Sequence, residues 1–142
     1  MTKISLDKLL NREETYKEFA EAARHPLNAE FTKAECYKRF KFLAEEVDEV
    51  LDAIDCMDDI DFEPTTVEQA IELKAHLLKE LADVQYTLSG FAATFGLNLS
   101  KAYERVHESN MTKFSDDGAV YSSNGKVLKP TTYRPPYLED IL

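Results

Sequence analysis

Apolar residues recur along this chain at the three- and four-residue spacing of an α-helix, interrupted by polar or proline-bearing segments. The first such stretch runs from Leu6 to Arg24, with Leu9, Leu10, Tyr16, Phe19, Ala20 and Ala23 on its apolar side and a weak point at Asn11. His25-Pro26 closes it, because the residue before a proline is pushed out of the helical region. HPLNAEF follows as a loop. Thr32-Lys33-Ala34-Glu35 is a capping box, so a second helix opens there and runs to Met57. Projected at 100° per residue, Leu43, Val47, Val50, Leu51 and Ile54 form one stripe on it.

A third helix begins near Pro64-Thr65-Thr66, where Thr65-x-x-Glu68 and Thr66-x-x-Gln69 both offer capping boxes. Its stripe is Leu73, Leu77, Leu81, Val84 and Leu88, continuing through Phe91, Ala92 and Phe95 to a stop at Gly96. Gly90 costs that helix about 1 kcal/mol of propensity, which predicts a close helix crossing there. Asn98 or Ser100 caps a fourth helix through Met111. After Phe114 the helical period is gone. Asp116-Asp117-Gly118 reads as a turn, and Ala119–Tyr121 with Lys126–Leu128 predict a hairpin across Asn124-Gly125. The ending TTYRPPYLEDIL is extended and wraps the body or a partner subunit, which would bring Lys129, Tyr133 and Arg134 toward a neighbouring site. The expected fold is an all-α antiparallel helical bundle, one domain over residues 1–142 with a short irregular or hairpin tail from residue 114. Its apolar faces are longer than a monomer covers, which predicts a homodimer or a higher homo-oligomer.

Composition narrows the class. At 142 residues, 44% hydrophobic and 31% charged, the chain is long enough for a core and too apolar for disorder. A net charge of -10 argues against nucleic acid as the main partner, since phosphate backbones want Lys and Arg. Cys36 and Cys56 have no metal-ligand spacing and are expected as reduced thiols. No run has the length and apolarity of a membrane span, and the first residues lack a signal-peptide core, so the expected location is cytoplasmic.

Charge placed on these helices suggests the chemistry. Glu46 and Glu49 lie together on one edge of the second helix's stripe, with Glu45 turned further toward solvent beside Glu49. Glu80 and Asp83 take the same offset on the third helix. If the two stripes pack together, four carboxylates converge at the border of the core, and they must then take up protons or a cation. Oxygen ligands of this kind suit Mg²⁺, with Mn²⁺ as a substitute, together with substrate phosphates. The alternative is two solvated acidic faces. Arg39, upstream on the second helix, reaches either phosphate or one of the many acids. The acidic connector from Asp55 to Glu63 fails as a calcium loop, because Ile54 and Cys56 fall on ligand positions and the turn glycine is missing. No phosphate-binding Gly-rich loop or Cys–His pairing supports other chemistries, and neither Glu49 nor Glu80 has the His three residues on that a di-iron bundle wants.

Glu45-Glu46-x-x-Glu49 followed by Glu80-x-x-Asp83 on the next long helix resembles the all-α nucleoside triphosphate pyrophosphohydrolase superfamily. That group includes MazG proteins, dimeric dUTPases and phosphoribosyl-ATP pyrophosphohydrolases. The gap between the two halves is slightly long for it, and the SNMTKF segment with the tail that follows is similar to MazG-like proteins. The resemblance implies Mg²⁺-dependent hydrolysis of a nucleoside triphosphate, dUTP or another non-canonical or deoxy nucleotide, to the monophosphate and pyrophosphate. It implies Glu46, Glu49, Glu80 and Asp83 as metal ligands, Glu45 as a further ligand or the base that orients water, and Asn110 and Lys113 as residues that hold the triphosphate or help organise the metals. It places the leading helix near the substrate pocket, where Phe19 and His25 either touch a base or serve as core packing and a helix end. A phosphoribosyl-ATP substrate and a non-enzymatic acidic helical module that binds a partner protein are the alternatives.

Overall fold

The computed structural model describes residues 11–57, 66–114 and 118–142. These residues form helices α1 (Arg12–Ala23), α2 (Lys33–Asp55), α3 (Val67–Thr94) and α4 (Leu99–Met111), and one 3₁₀ turn at Glu139–Ile141. Among the described residues there is no extended strand; the antiparallel pairing of Tyr121 with Val127 is an isolated bridge, so the fold is all-α. The Leu6–Leu10 start of the first expected helix, most of the acidic connector and the Asp116-Asp117 turn lie outside the described residues.

Helices α2, α3 and α4 start where their capping chemistry predicts, and α1 starts inside the longer helix expected from Leu6. Asn11, Thr32, Thr66 and Asn98 are the N-caps, and each side chain accepts a hydrogen bond from a backbone N–H of the first turn. The weak point at Asn11 is therefore a helix start. At α3 the choice between two capping boxes falls to Thr66 and Gln69, which satisfy each other's backbone N–H groups. Arg24 ends α1 in the left-handed region at φ 54°, and the His25 N–H closes the turn onto the Ala20 carbonyl at 2.8 Å. Gly96, at φ +65°, follows the Phe95 cap of α3.

The chain divides into two compact units, Met1–Gly96 and Leu97–Leu142, where the sequence reading takes one domain with a tail from residue 114. In the first unit α3 packs against both α1 and α2. Phe31, before α2, meets Phe95 after α3, while Glu49 near the far end of α2 meets Glu80. Rising numbers on α2 thus match falling numbers on α3, and the two run antiparallel. On the α1 side the crossing is close. A Cβ at Gly90 would lie 2.4 Å from the Tyr16 ring, so only glycine lets that ring seat on α3. Small buried residues, Ser89, Ala92, Ala93 and Thr94, continue the contact, and the Thr94 hydroxyl donates back to the Gly90 carbonyl at 2.7 Å.

The fully buried apolar core is small: Tyr16, Ala20, Ala53, Ala92 and Ala93. The predicted stripes are only partly covered. Leu43, Val50, Leu73, Leu77 and Val84 are half-buried, whereas Val47, Leu51, Ile54, Leu81 and Leu88 are exposed. Three helices offer too few neighbours to bury two full stripes as well as the α1 contact.

In the second unit the segment after residue 118 folds back on α4. Ser109 Oγ donates to the Arg134 carbonyl at 2.6 Å, and the Arg134 N–H donates to Thr112 Oγ1 at 2.8 Å. Arg105 forms a two-pronged pair with Asp140 at 3.1 and 2.9 Å, which lifts the guanidinium pKa and lowers that of the carboxyl. The expected hairpin is reduced to the Tyr121–Val127 bridge, flanked by Ser122–Lys126 and Leu128–Val120 backbone bonds at 2.8 Å. Cys36 and Cys56 are free thiols.

Candidate metal centre and adjoining cavity

Glu46 and Glu49 sit three residues apart on α2, and Glu80 and Asp83 three apart on α3, so each pair shares a helix edge. Antiparallel packing brings the two edges together. One carboxylate oxygen from each of Glu46, Glu49, Glu80 and Asp83 falls within 4.8 Å of the others. Glu80 is 5% exposed, Glu46 and Asp83 are half-buried, and Glu49 is at the open side. Glu45 is exposed and does not join them, because one residue turns the side chain by about 100°.

The electrostatics show what this crowding costs. A hydrogen bond to Glu80 holds the Glu49 carboxyl above its ordinary pKa, with the charge of Glu46 adding to it and Lys79 acting against it. Two carboxyl groups can hydrogen-bond only by sharing a proton. Lys79 supplies a counter-charge: its ammonium lies 2.9 Å from Asp83 and 3.1 Å from Glu80. Its own pKa is driven well above the ordinary range, first by Asp83 and then by Glu80. His76 Nε2 lies 3.3 Å from Glu80 on the same helix face. The donor set is all carboxylate oxygen, which fits a hard divalent cation such as Mg²⁺ or Mn²⁺ and does not fit a thiolate-seeking metal.

Beside this centre opens a cavity of about 460 Å³, and Glu46 belongs to both. Tyr16, Phe19, Phe42 and Tyr86 give it an aromatic wall, and Arg39 lines it as well. The rings hold one another in tilted or edge contacts: Tyr16 to Phe19 at 5.8 Å, Tyr16 to Tyr86 at 5.6 Å and Phe19 to Tyr86 at 5.7 Å. Burial, more than the neighbouring Tyr16 and Glu18, raises the Tyr86 pKa. Of the two readings of Phe19, core packing gives way: it is 45% exposed and lines the cavity, with His25 edge-on to it at 5.8 Å. Arg39 reaches no acid among the described residues. Its guanidinium stands 5.9 Å from the Phe42 ring centre, and its buried Nε has no hydrogen-bond partner there.

Asn110 and Lys113 lie in the second unit, at the end of α4 and just past it, with the Lys113 N–H on the Asn110 carbonyl at 3.1 Å. The Lys113 ammonium is 5.8 Å and that of Lys129 4.9 Å from the centre of the Tyr133 ring. Sequence reasoning missed His76 and Lys79, although His76–Glu80 and Lys79–Asp83 have the four-residue spacing of helix-face neighbours. It also missed the cavity roles of Tyr16, Tyr86 and Thr87, for which no local signal existed.

The sequence profile of the family described as phosphoribosyl-ATP pyrophosphohydrolase matches residues 12–110, which takes in α1, α2, α3 and nearly all of α4. The match stops inside the Ser109–Phe114 motif, so it lends nothing to the MazG-like reading of the tail. No curated protein matches the sequence.

Proposed function

Because the chain belongs to the phosphoribosyl-ATP pyrophosphohydrolase family, we propose that it splits a nucleotide's phosphoanhydride and releases pyrophosphate at the carboxylate centre of α2 and α3. The observation that carries this reading is the convergence of Glu46, Glu49, Glu80 and Asp83 within 4.8 Å, at the mouth of an aromatic cavity that Glu46 also lines. In it Glu46, Glu49, Glu80 and Asp83 would hold Mg²⁺, or Mn²⁺ in its place. When bound, the cation neutralises the polyphosphate and polarises water for attack. The elements of water add across the P–O–P link: one phosphorus gains the oxygen, and pyrophosphate departs with the bridging atom.

The chain's own groups do the rest. With a cation at the centre, Glu49 would act as a carboxylate ligand, and Lys79, which now neutralises Asp83 and Glu80, would be free to face solvent or phosphate. Glu45, outside the cluster, keeps the role of orienting water at its edge. Asn110 and Lys113 hold phosphate oxygens, and Arg39 contacts substrate in the cavity. A second copy of the chain covers the exposed apolar faces of α2 and α3. The family match favours a phosphoribosyl-ATP type of substrate, and the dUTP preference expected from the sequence gains no support from it. A non-enzymatic partner-binding role leaves the convergent carboxylates and the cavity without a purpose.

The test is pyrophosphate release from a panel of nucleotides that includes phosphoribosyl-ATP and dUTP, with and without Mg²⁺. Mg²⁺-dependent release, lost in Asp83→Asn and reduced less in Glu45→Gln, is expected. Failure of every nucleotide in the panel removes the enzyme reading.

A further inference from the structure

A buried donor without an acceptor is costly, and Arg39 Nε is one. The residue that carries it also borders a space large enough for a ligand. Arg39 lines the cavity together with Tyr16, Phe19, Phe42 and Tyr86, and Glu46 lies on the same wall. The cavity volume of about 460 Å³ falls inside the range of small-molecule sites, roughly 300–1,000 Å³. Seven residues of α2 separate Arg39 from Glu46, about 10 Å along the helix axis at 1.5 Å per residue. That span leaves room for a sugar between a group held at Arg39 and a phosphate held at the carboxylates.

We propose that Arg39 is the specificity-determining residue for the base: its guanidinium edge donates to an acceptor at the purine 6-position or the pyrimidine 4-position, while the base lies against the aromatic wall. This rests on the pyrophosphohydrolase reading of the carboxylate centre. An arginine edge matches adjacent acceptors such as a purine O6 and N7, and it rejects an amino group at the same place because two donors then face each other. The occupant is a base and not a phosphate. A phosphate in this apolar surround, close to the Glu46 carboxylate, loses its hydration and meets a like charge, whereas a neutral carbonyl does neither. The Phe42 ring centre lies 5.9 Å from the guanidinium carbon, within cation–π range, and helps hold the fork in place. The substrate class is therefore a nucleotide with an oxo base, or an adenine substituted on N1, whose neutral form carries an acceptor imine at the 6-position. Ordinary adenine and cytosine nucleotides are excluded.

Matched pairs that differ at this one edge test it: ITP against ATP, and UTP against CTP. The wild-type protein should favour the oxo member by about ten- to a hundred-fold in kcat/KM, the range expected when a buried donor is satisfied or left bare. Arg39→Met and Arg39→Lys should each bring that ratio close to unity, Lys because it lacks the planar fork. Calorimetric binding of IMP and AMP without metal reads the same preference in the absence of turnover. If no nucleotide is hydrolysed but IMP still binds ahead of AMP through Arg39, the reaction is wrong and the base site stands. A ratio near unity in the wild type overturns the proposal. So does an equal loss for both members of a pair in the variants, which marks Arg39 as a phosphate contact. Circular dichroism of Arg39→Lys guards against misfolding, and a folded Arg39→Lys protein that keeps the full preference also refutes the assignment.

Discussion

The hydrogen bond to Glu80, helped by the charge of Glu46, holds the Glu49 carboxyl above its ordinary pKa, and that fixes the sign of a pH dependence. Its folded-state pKa lies above the ordinary value of 4.5, so the folded chain binds this proton more tightly than the unfolded chain does. The stabilisation is complete below the ordinary value and is lost as pH rises through the raised one. Without divalent cation, the wild-type thermal midpoint should therefore fall across that window. Glu49→Gln cannot ionise and should lack this step, with a midpoint at neutral pH equal to or above the wild type. Mg²⁺ should reverse the order, stabilising the wild type more as pH rises and stabilising Glu49→Gln little, with turnover lost. Thermal melts across pH with and without Mg²⁺ check this. Parallel curves for the two proteins would remove the raised Glu49 pKa.

At the scale of elements, α1 and α3 meet over Gly90 because any side chain there would enter the Tyr16 ring. Gly90→Ala gains about 1 kcal/mol of helix propensity. Against this stands the cost of overpacking a crowded site, about 1–3 kcal/mol. Tyr16 is 8% exposed and held by Phe19 and Tyr86, so the ring has little freedom to retreat and the clash wins. The expected net loss is about 1 kcal/mol, or a fall of about 3–5 °C in Tm. An unchanged Tm would mean that the ring moves freely. The end of α4 bears a different expectation. Lys113 is a cation with no lone pair, so Lys113→Ala should weaken nucleotide binding and turnover while leaving Mg²⁺ binding to the free protein intact. Steady-state kinetics beside a calorimetric metal titration separate the cases: unchanged kinetics returns Lys113 to the role of a surface lysine.

The molecule as a whole exposes too much apolar surface for its small core. Val47, Leu51, Ile54, Ile71, Leu78 and Leu81 all lie open on α2 and α3. A self-associating dimer hides such a surface, and light scattering at micromolar protein should give twice the chain mass or more. Ile71 is 60% exposed, so in an isolated subunit Ile71→Glu should change stability by no more than about 0.5 kcal/mol. If α3 forms the contact, the same change places a charge in an apolar interface and should shift the mass toward monomer and lower Tm. A monomeric wild type, or an Ile71→Glu protein with unaltered mass, counts against an interface there.

Much of this was legible from local rules. Helical periodicity and side-chain capping act over three or four residues, so α1 to α4 and the Thr32, Thr66 and Asn98 starts could be read in the chain, while the Asn11 cap was read only as a weak point in a longer helix. The same short range put Glu46 with Glu49 and Glu80 with Asp83 on shared helix edges. What periodicity cannot supply is distance between residues far apart in sequence. Antiparallel packing of α2 on α3 brought the four carboxylates within 4.8 Å and left Glu45 outside. Packing of α1 on α3 turned Phe19 from a core candidate into a cavity wall, and the two packings together joined Tyr16, Tyr86 and Arg39, from three different helices, around one space. A helix's phase is written in its sequence, but the identity of the face it meets is set only when competing contacts are resolved in three dimensions.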